Sequence, residues 1–410
     1  MTLKMLNPKL TATLLILALS ILLFFRHSQD FIPGRKVPGD FKVYQIAAAR
    51  VATGVNPYIP TEGSPYKYSP AALLPLQLLP KQDSRAWMVF KALCIASLAA
   101  SILVGACLSG WKEVLSLVLG FALAWKGLLE TLDYGQMEFF VLFGGVLGAR
   151  LLKSHSLAAG LVIGCLPWLK LPWGFLTLPF LMESAQRGRR SWSRFSAGWI
   201  LGFLGFGMAL PLVFFGMEKT IFLTQSWFDL LAHQPQELFL SDLNQSVWST
   251  ATRWLRMNSA WGMPAVVLLA LACLLIFFQL VRSSFRQSLV EAPLARLTPW
   301  LILMQLVNPL SWRWGSLLLI GASWVIPGHF RLRSVFSWWM ASLLIVLFLI
   351  QLNPIASFLG FDNWTVPHRF GSITFYWLVV LLLSASTQGL SPLGVLRQQQ
   401  KSAGMRYNLD

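Results

Sequence analysis

The segment Trp87–Leu108 reads WMVFKALCIASLAASILVGACL and contains a single charged residue, Lys91. A membrane-crossing α-helix needs about 20 consecutive, mostly apolar residues, so this segment predicts one such helix. Other apolar runs of similar or shorter length recur along the chain. They are Leu10–Phe25, Val114–Trp125, Gln136–Leu152, Ser156–Trp168, Pro172–Glu183, Phe195–Phe215, Trp261–Val281, Ser288–Leu306, Pro309–Pro327, Val335–Leu352 and Phe370–Ser386. Together they predict an all-α polytopic membrane protein with about 12 transmembrane helices.

The composition supports the same fold class. Hydrophobic residues make up 56% of the 410 residues and charged residues only 12%. Soluble domains carry about 25% charged residues, so a soluble enzyme, a secreted disulfide scaffold and a disordered protein are excluded. The net charge of +17 is explained by basic residues in cytoplasmic loops, so the expected partner is the lipid bilayer and not nucleic acid. The four cysteines lie inside apolar segments without metal-ligand spacing, which predicts no metal site.

The distribution of Lys and Arg predicts the orientation, because these residues collect in loops that stay in the cytoplasm. With the arginine-rich loop 184–194 inside, both termini are cytoplasmic, and the long loops 26–86 and 216–260 lie outside the cell. The short apolar run Ser69–Leu79 is then expected to lie flat on the outer surface. The expected location is a bacterial inner (plasma) membrane. The expected division of the chain is one membrane domain and a polar cytoplasmic tail, 1–390 and 391–410.

The first long loop contains an acidic residue at the start of a helical pattern. Asp40 precedes apolar residues with helical spacing, and this pattern ends at Gly54. Asp40 is either the N-cap of this helix or a carboxylate available for chemistry, and the two roles are compatible. Further along the loop, Lys67 stands between Tyr66 and Tyr68. Such a cation suits a lipid phosphate, although aromatic loops of this kind are also common membrane anchors.

Two further charged residues lie at the expected outer ends of membrane spans. Glu138, with Gln136 before it, begins one span. Burying an ionisable side chain in the membrane costs roughly 2.5–3.5 kcal/mol even on insertion scales, so Glu138 either has a functional role or reaches to the interface. Lys170 lies between Pro167 and Pro172 at the turn between two short spans, as in the broken helices that line cavities.

The second long loop and a later span add polar candidates. Asn244, Gln245 and Ser246 precede an amphipathic stretch that contains Arg253. They are either a simple helix start or a group that binds sugar hydroxyls. Arg313 lies between two tryptophans at the start of a later span, where it is either an interfacial anchor or a phosphate-binding group.

Taken in order, these residues resemble the motifs of glycosyltransferase family 87, the polyprenol-phosphate-mannose-dependent enzymes within the GT-C superfamily of membrane glycosyltransferases. The resemblance covers most of the chain and depends on the order and shared placement of short motifs. These are Asp40-x3-Tyr44, Gly54-x2-Pro57-Tyr58, Tyr66-x-Tyr68-x-Pro70, Gly135-Gln136, Lys170-x-Pro172, Asn244-Gln245-Ser246 followed by Arg253, and Pro309-x-Ser311-Trp312. The chain has Glu138, Val247 and Arg313 where members often carry Asn, Leu and His.

The resemblance implies a GT-C-type fold with amphipathic helices in the extracytoplasmic loops. It implies transfer of a sugar, mannose or another hexose or pentose, from a polyprenyl-phosphate donor to a lipid, glycan or protein acceptor. Asp40 is then the general base of a metal-independent, inverting displacement that uses no cofactor. Candidates for binding the donor phosphate are Lys67, Lys170 and Arg313. Candidates for binding the sugar or the acceptor are Tyr44, Tyr68, Gln136, Glu138, Asn244, Gln245 and Arg253.

Two other functions use the same features. A flippase or transporter of lipid-linked sugars would use broken helices and Lys170 as a binding site. An O-antigen polymerase or ligase also acts on lipid carriers in the outer leaflet. The two long outer loops and the lack of repeated halves favour the transferase.

Overall fold

A computed structural model describes most of the first three quarters of the chain. The described residues are 7–26, 39–59, 65–105, 128–233, 246–257 and 293–308, with single positions or pairs at 114, 118, 244 and between 264 and 290. Within these ranges two helices are long and apolar enough to cross a membrane, Asp83–Gly105 and the continuous helical segment Arg189–Phe215. Shorter apolar helices cover Lys9–Phe25, Ser156–Leu169 and Arg296–Val307.

The regular elements with defined bounds in the described ranges are all helical, as the sequence predicts. They are α1 (Pro8–Arg26), α2 (Gly39–Ala52), α3 (Pro70–Gln77), α4 (Asp83–Gly105), α5 (Glu138–Leu151), α6 (Ser156–Leu169), a 3-10 helix (Leu171–Leu176), α7 (Thr177–Gln186), α8 (Arg189–Leu204), a π-helical turn (Gly205–Ala209), α9 (Leu210–Phe215), α10 (Met217–Ala232), α11 (Val247–Met257) and α12 (Pro293–Val307). The predicted spans after residue 308, the tail 391–410 and the total of about 12 helices lie outside the described residues.

Glycine contacts define how the first apolar helices run. A Cβ atom on Gly135 would lie 2.7 Å from the Trp87 ring, and one on Gly105 would lie 2.7 Å from Val146. The start of α5 therefore lies by the start of α4, and the two helices run in the same direction. We call this end of the bundle, where Trp87 and Gly135 lie, the site end. Helix α6 runs back toward the site end, because Leu166, near the end of α6, contacts Gly144 in the first half of α5.

Helices α6 and α8 pack through two facing pairs of glycines. On each helix the glycines are four residues apart, and a Cβ atom on any of them would clash with the backbone of the other helix; they are Gly160 and Gly164 on α6 and Gly198 and Gly202 on α8. Small residues at this spacing let helix backbones approach closely, which stabilises helix pairs in membranes. Residues later in α6 contact residues later in α8, so the two helices are parallel. The short connection through the 3-10 helix and α7 carries the chain back between them, so the structure has two short helices separated by a break at the prolines around Lys170.

Helix α3 differs from the expectation that Ser69–Leu79 lies flat on a surface. The helix has only eight residues, too few to cross a bilayer. Six of the eight are buried, and α3 packs against α2, α6, α9 and α10. The physical reason is its sequence, PAALLPLQ, which has no polar residue before Gln77. A helix that is apolar on all sides is stable when it is covered on all sides.

Candidate active site

Asp40 lies in the first turn of α2, which begins one residue earlier, at Gly39. The predicted helix up to Gly54 is therefore confirmed, with Asp40 inside its first turn and not at the capping position. Backbone amides at a helix start favour a carboxylate there. Oδ2 of Asp40 accepts a hydrogen bond from Nε2 of Gln136, which precedes α5. This bond joins the first long loop to the start of α5.

The position of Gln136 depends on the residue before it. Gly135 has a φ angle of +70°, which L side chains rarely adopt. A Cβ atom at residue 135 would also meet the ring of Trp87 at 2.7 Å and Phe41 at 3.1 Å. The ring centroids of Phe41 and Trp87 lie 4.9 Å apart, so an aromatic contact between α2 and α4 covers this glycine. The tight turn at Gly135 therefore delivers Gln136 to Asp40.

A chain of hydroxyl groups continues from Gln136. Its Oε1 accepts a hydrogen bond from the Tyr68 hydroxyl at 3.2 Å. The Tyr68 hydroxyl in turn accepts one from the Tyr44 hydroxyl at 2.9 Å. Because Oε1 of Gln136 is occupied by Tyr68, its amide nitrogen is directed to Asp40. Burial raises the pKa of Tyr44 and of Tyr68 well above the ordinary value, so both remain neutral hydroxyls.

Lys67 is held in place by the second long loop. Its backbone carbonyl accepts a hydrogen bond of 2.9 Å from Nε1 of Trp227 on α10. A second link between the loops is the 3.2 Å hydrogen bond from Asn56 to Ser226. The ammonium group of Lys67 is close enough to Asp40 and Lys170 to interact with both electrostatically. Burial lowers the pKa of Lys67, and the charge of Asp40 partly opposes this effect.

Lys170 forms an ion pair with Glu138. The lysine lies between the end of α6 and the 3-10 helix, in an extended conformation. Its side chain is 23% exposed, whereas that of Glu138 is 4% exposed. Oε1 of Glu138 contacts the lysine, and Oε2 is buried with no hydrogen-bond partner in the described part of the chain. Lys170 thus has a protein carboxylate as its partner.

These groups together set the titration of Asp40. Burial raises the pKa of Asp40 above its ordinary value, and the charge of Glu138 raises it further. Lys67, Lys170 and the hydrogen bond from Gln136 each lower the pKa of Asp40, and the net shift is upward. A raised pKa brings a carboxylate closer to the range in which it accepts a proton efficiently near neutral pH.

The structure brings together seven of the residues predicted from the sequence. They are Asp40, Tyr44, Lys67, Tyr68, Gln136, Glu138 and Lys170. Asn244 is buried, and its Oδ1 accepts a hydrogen bond of 3.1 Å from the amide of Ser246 just before α11. This contact matches the helix-start interpretation of that segment. Arg253 belongs to α11, but its side chain, Gln245 and Arg313 lie outside the described residues.

Three supporting residues were not predicted as part of the site. Trp227 holds the Lys67 carbonyl, the Tyr58 hydroxyl donates to the Tyr68 carbonyl at 3.1 Å, and the Ser69 hydroxyl donates to the Trp168 carbonyl near Lys170. The buried positions of α10, Thr220, Leu223 and Trp227, have helical spacing, so an amphipathic pattern was the available signal. Among the described residues, no group of three His, Cys, Asp or Glu side chains is placed to hold a metal ion.

Comparison with known protein families gives one match, and it covers more than half of the chain. The model of glycosyltransferase family 87 matches residues 66–309. This range includes Lys67, Gln136 and Lys170, and it begins after Asp40. Membership of the GT-C superfamily is consistent with the match, and a membrane location fits both the family and the two long apolar helices. No curated protein matches the chain. Because the family model matches more than half of the chain, including the segments that carry Lys67, Gln136 and Lys170, the chain belongs to glycosyltransferase family 87 and is a glycosyltransferase.

Proposed function

We propose that this protein transfers a sugar from a polyprenyl-phosphate donor to a hydroxyl of a lipid, glycan or protein acceptor on the extracytoplasmic face of a bacterial inner membrane. The sugar is mannose or another hexose or pentose. The observation that carries the proposal is a partly buried carboxylate, Asp40, hydrogen-bonded to Gln136 and within electrostatic range of Lys67 and Lys170. This arrangement combines a proton acceptor with countercharges for a phosphate leaving group.

Asp40 acts as the general base. The acceptor oxygen forms a bond to the anomeric carbon while the bond from that carbon to the donor phosphate oxygen breaks. The acceptor proton moves to Asp40, and the electron pair of the broken bond leaves on the phosphate. A positioned base typically contributes about 10²–10⁴-fold to such a step. The hydrogen bond from Gln136 occupies Oδ2 of Asp40, which leaves Oδ1 to take the proton.

The two lysines stabilise the charge that develops on the leaving group. During transfer, negative charge moves from Asp40 to the phosphate, and both ends of this movement lie near ammonium groups. Lys67 interacts electrostatically with Asp40, and Lys170 does as well. Fixed cations aimed at developing charge are an effective source of transition-state stabilisation, so the step proceeds without a metal ion or another cofactor.

A single displacement with inversion is supported by the different partners of the two carboxylates. A double displacement needs a nucleophilic carboxylate in addition to an acid-base group. Glu138 is ion-paired with Lys170, whereas Asp40 is held by a neutral amide. We therefore assign the chemical step to the Asp40 carboxylate, which takes the proton from the acceptor hydroxyl.

The orientation is supported by the distribution of charge between the two ends of the bundle. The start of α6 lies by the start of α8, because the Ser156 and Ser191 hydroxyls are 2.9 Å apart. Arg189 and Arg190 begin α8 there, and Lys170 lies at the opposite end of α6. Basic loops stay in the cytoplasm, so the site end faces outward and both termini lie inside. Sugar nucleotides are confined to the cytoplasm, so a site on the outer face requires a lipid-linked donor.

The direct test uses purified protein in sealed vesicles with a radiolabelled polyprenyl-phosphate sugar and a lipid extract as the source of acceptors. Labelled glycoside that is separable from the donor is the expected product. Label that crosses the bilayer without a change in its chemical form would instead identify a flippase. A label that neither reacts nor crosses would contradict the choice of donor.

A further inference from the structure

Glu138 has an unusual environment for a buried carboxylate. Its side chain is 4% exposed, and Lys170 contacts Oε1. The other oxygen, Oε2, is buried and has no hydrogen-bond partner among the residues that the structure describes. Leaving a buried polar atom without a partner costs free energy, and more for a charged group. Such an atom in a binding site is explained when a ligand supplies the missing donor.

Lys170 is the more exposed member of this ion pair. Its side chain is 23% exposed and that of Glu138 is 4% exposed, so the ammonium group is the more accessible of the two charged groups. The backbone of Lys170 is fixed, since its carbonyl accepts a 2.9 Å hydrogen bond from the Trp173 amide. A lysine ammonium group binds phosphate as a point charge on a flexible stem. Rotation of that stem toward a phosphate would uncover Glu138 without moving the helices.

The charges of the cluster distinguish two forms of a lipid carrier. The negative charges of Asp40 and Glu138 are matched by the positive charges of Lys67 and Lys170. A sugar-loaded polyprenyl phosphate is a phosphodiester with one negative charge and several hydroxyl donors. The spent polyprenyl phosphate is a monoester, which carries about −1.5 to −2 charges near neutral pH, and it has no sugar hydroxyl to donate. A second carboxylate therefore disfavours the spent carrier.

We infer that Glu138 is the residue that distinguishes the loaded carrier from the spent one. Lys170 turns from Glu138 to the phosphate, and Oε2 of Glu138 accepts a hydrogen bond from a hydroxyl of the sugar. After transfer the sugar hydroxyl is no longer attached to the phosphate, and Glu138 competes with the spent carrier for Lys170. This competition favours release of the lipid product. The inference rests on the proposed function, because it needs a phosphate-linked sugar as ligand.

The test compares the affinities of two probes, undecaprenyl phosphate and undecaprenyl phosphoryl mannose, with the glucose form as a second loaded probe. In Glu138→Gln we expect tighter binding of undecaprenyl phosphate and a preference for the loaded over the spent probe that is reduced about tenfold. The matched control is Glu183→Gln, because Glu183 forms a similarly buried ion pair with Arg187 at the other end of the bundle. That control leaves the preference unchanged.

A preference unchanged in a folded Glu138→Gln variant would reduce the Glu138–Lys170 pair to a structural contact and overturn the inference. If that variant does not fold, Glu138→Asp tests the inference instead, because aspartate keeps the negative charge but has a shorter side chain. Its affinity for undecaprenyl phosphate should stay within about twofold of wild type while its preference for the loaded probe falls; an unchanged preference overturns the inference. Failure of the wild-type protein to bind either probe would contradict the proposed function itself.

Discussion

The side-chain amide of Gln136 donates a hydrogen bond to Asp40 across 96 positions of the sequence. The bond connects α2, in the first long loop, to the turn that begins α5, and the hydrogen bond from the Tyr68 hydroxyl to the other end of the amide fixes the orientation of the Gln136 side chain. One oxygen of Asp40 is thereby committed to the protein. Gln136 orients the Asp40 carboxylate, and Tyr68 in turn orients Gln136. A general base requires such a fixed orientation.

Removal of the amide should change the pH dependence of transfer. The hydrogen bond from Gln136 lowers the pKa of Asp40, so Gln136→Leu should raise this pKa. Since the base works in its ionised form, the acidic limb of the pH–rate profile should move to higher pH, with a loss of about tenfold at neutral pH. Gln45→Leu, which removes an exposed contact of α2 with Asp83, is the control. A profile that moves equally in both variants would argue against the positioning role.

Lys67 should contribute to binding of the donor phosphate and not to the stability of the fold. Its ammonium group has no hydrogen-bond partner among the described residues, and it interacts electrostatically with Asp40. Lys67→Gln should therefore weaken binding of undecaprenyl phosphate by about 10-fold or more, with an unchanged melting temperature. Lys42→Gln, an exposed change in α2, serves as the comparison. Equal affinities for wild type and Lys67→Gln would remove this lysine from the phosphate site.

The glycine pairs between α6 and α8 should be intolerant of side chains. A Cβ atom at Gly160 would meet the backbone of α8 at Phe195 and Trp199, and a backbone cannot rotate away as a side chain can. We expect Gly160→Leu to destabilise the protein by about 1–3 kcal/mol or more, seen as a lower melting temperature in detergent. Gly205→Ala, where a Cβ atom meets nothing within 4 Å, should melt as wild type does. A stable Gly160→Leu protein would show that the two helices are farther apart.

The proposed orientation predicts which cysteines react with an impermeant maleimide. In a cysteine-free background, cysteines introduced at the exposed positions Thr53 and Gln225 should be labelled in intact cells. A cysteine at the exposed position Ser193 of α8 should be labelled only after the membrane is permeabilised. Labelling of Ser193→Cys in sealed cells would place the site end in the cytoplasm and remove the argument for a lipid-linked donor.

Much of the local structure was predictable from the sequence. Helical spacing after Asp40 predicted α2, and the prolines around Lys170 predicted the break between α6 and α7. Those signals are local, and a proline or a periodic apolar pattern acts on the residues beside it. Family membership was predictable too, because the order of short motifs along the chain is itself a sequence property.

The contacts of the site were less predictable. Glu138 and Lys170 were recognised as separate candidates, but their ion pair joins residues 32 positions apart. The local sequence around either residue does not predict that the two form a pair. The burial of α3 was missed because charge counts indicate whether a segment crosses a membrane and not what covers it. Trp227 was missed because its role is to donate a hydrogen bond to the backbone carbonyl of Lys67. Every residue has such a carbonyl, so residue types give no signal of this contact.

The central claim is that Asp40 takes the acceptor proton, and the Asp40→Asn variant tests it most directly. Asparagine keeps the shape and an oxygen at the start of α2 while it removes the basic group. Burial raises the pKa of Asp40, so the ionised carboxylate makes folding less favourable at neutral pH than a neutral side chain does.

Transfer of labelled sugar and the melting temperature should therefore be measured side by side for wild type and Asp40→Asn, with Asp83→Asn as an exposed acidic control. We predict that transfer by Asp40→Asn falls by about 10²–10⁴-fold, while its melting temperature at neutral pH is unchanged or higher. Near-normal transfer by a folded Asp40→Asn protein would contradict the account.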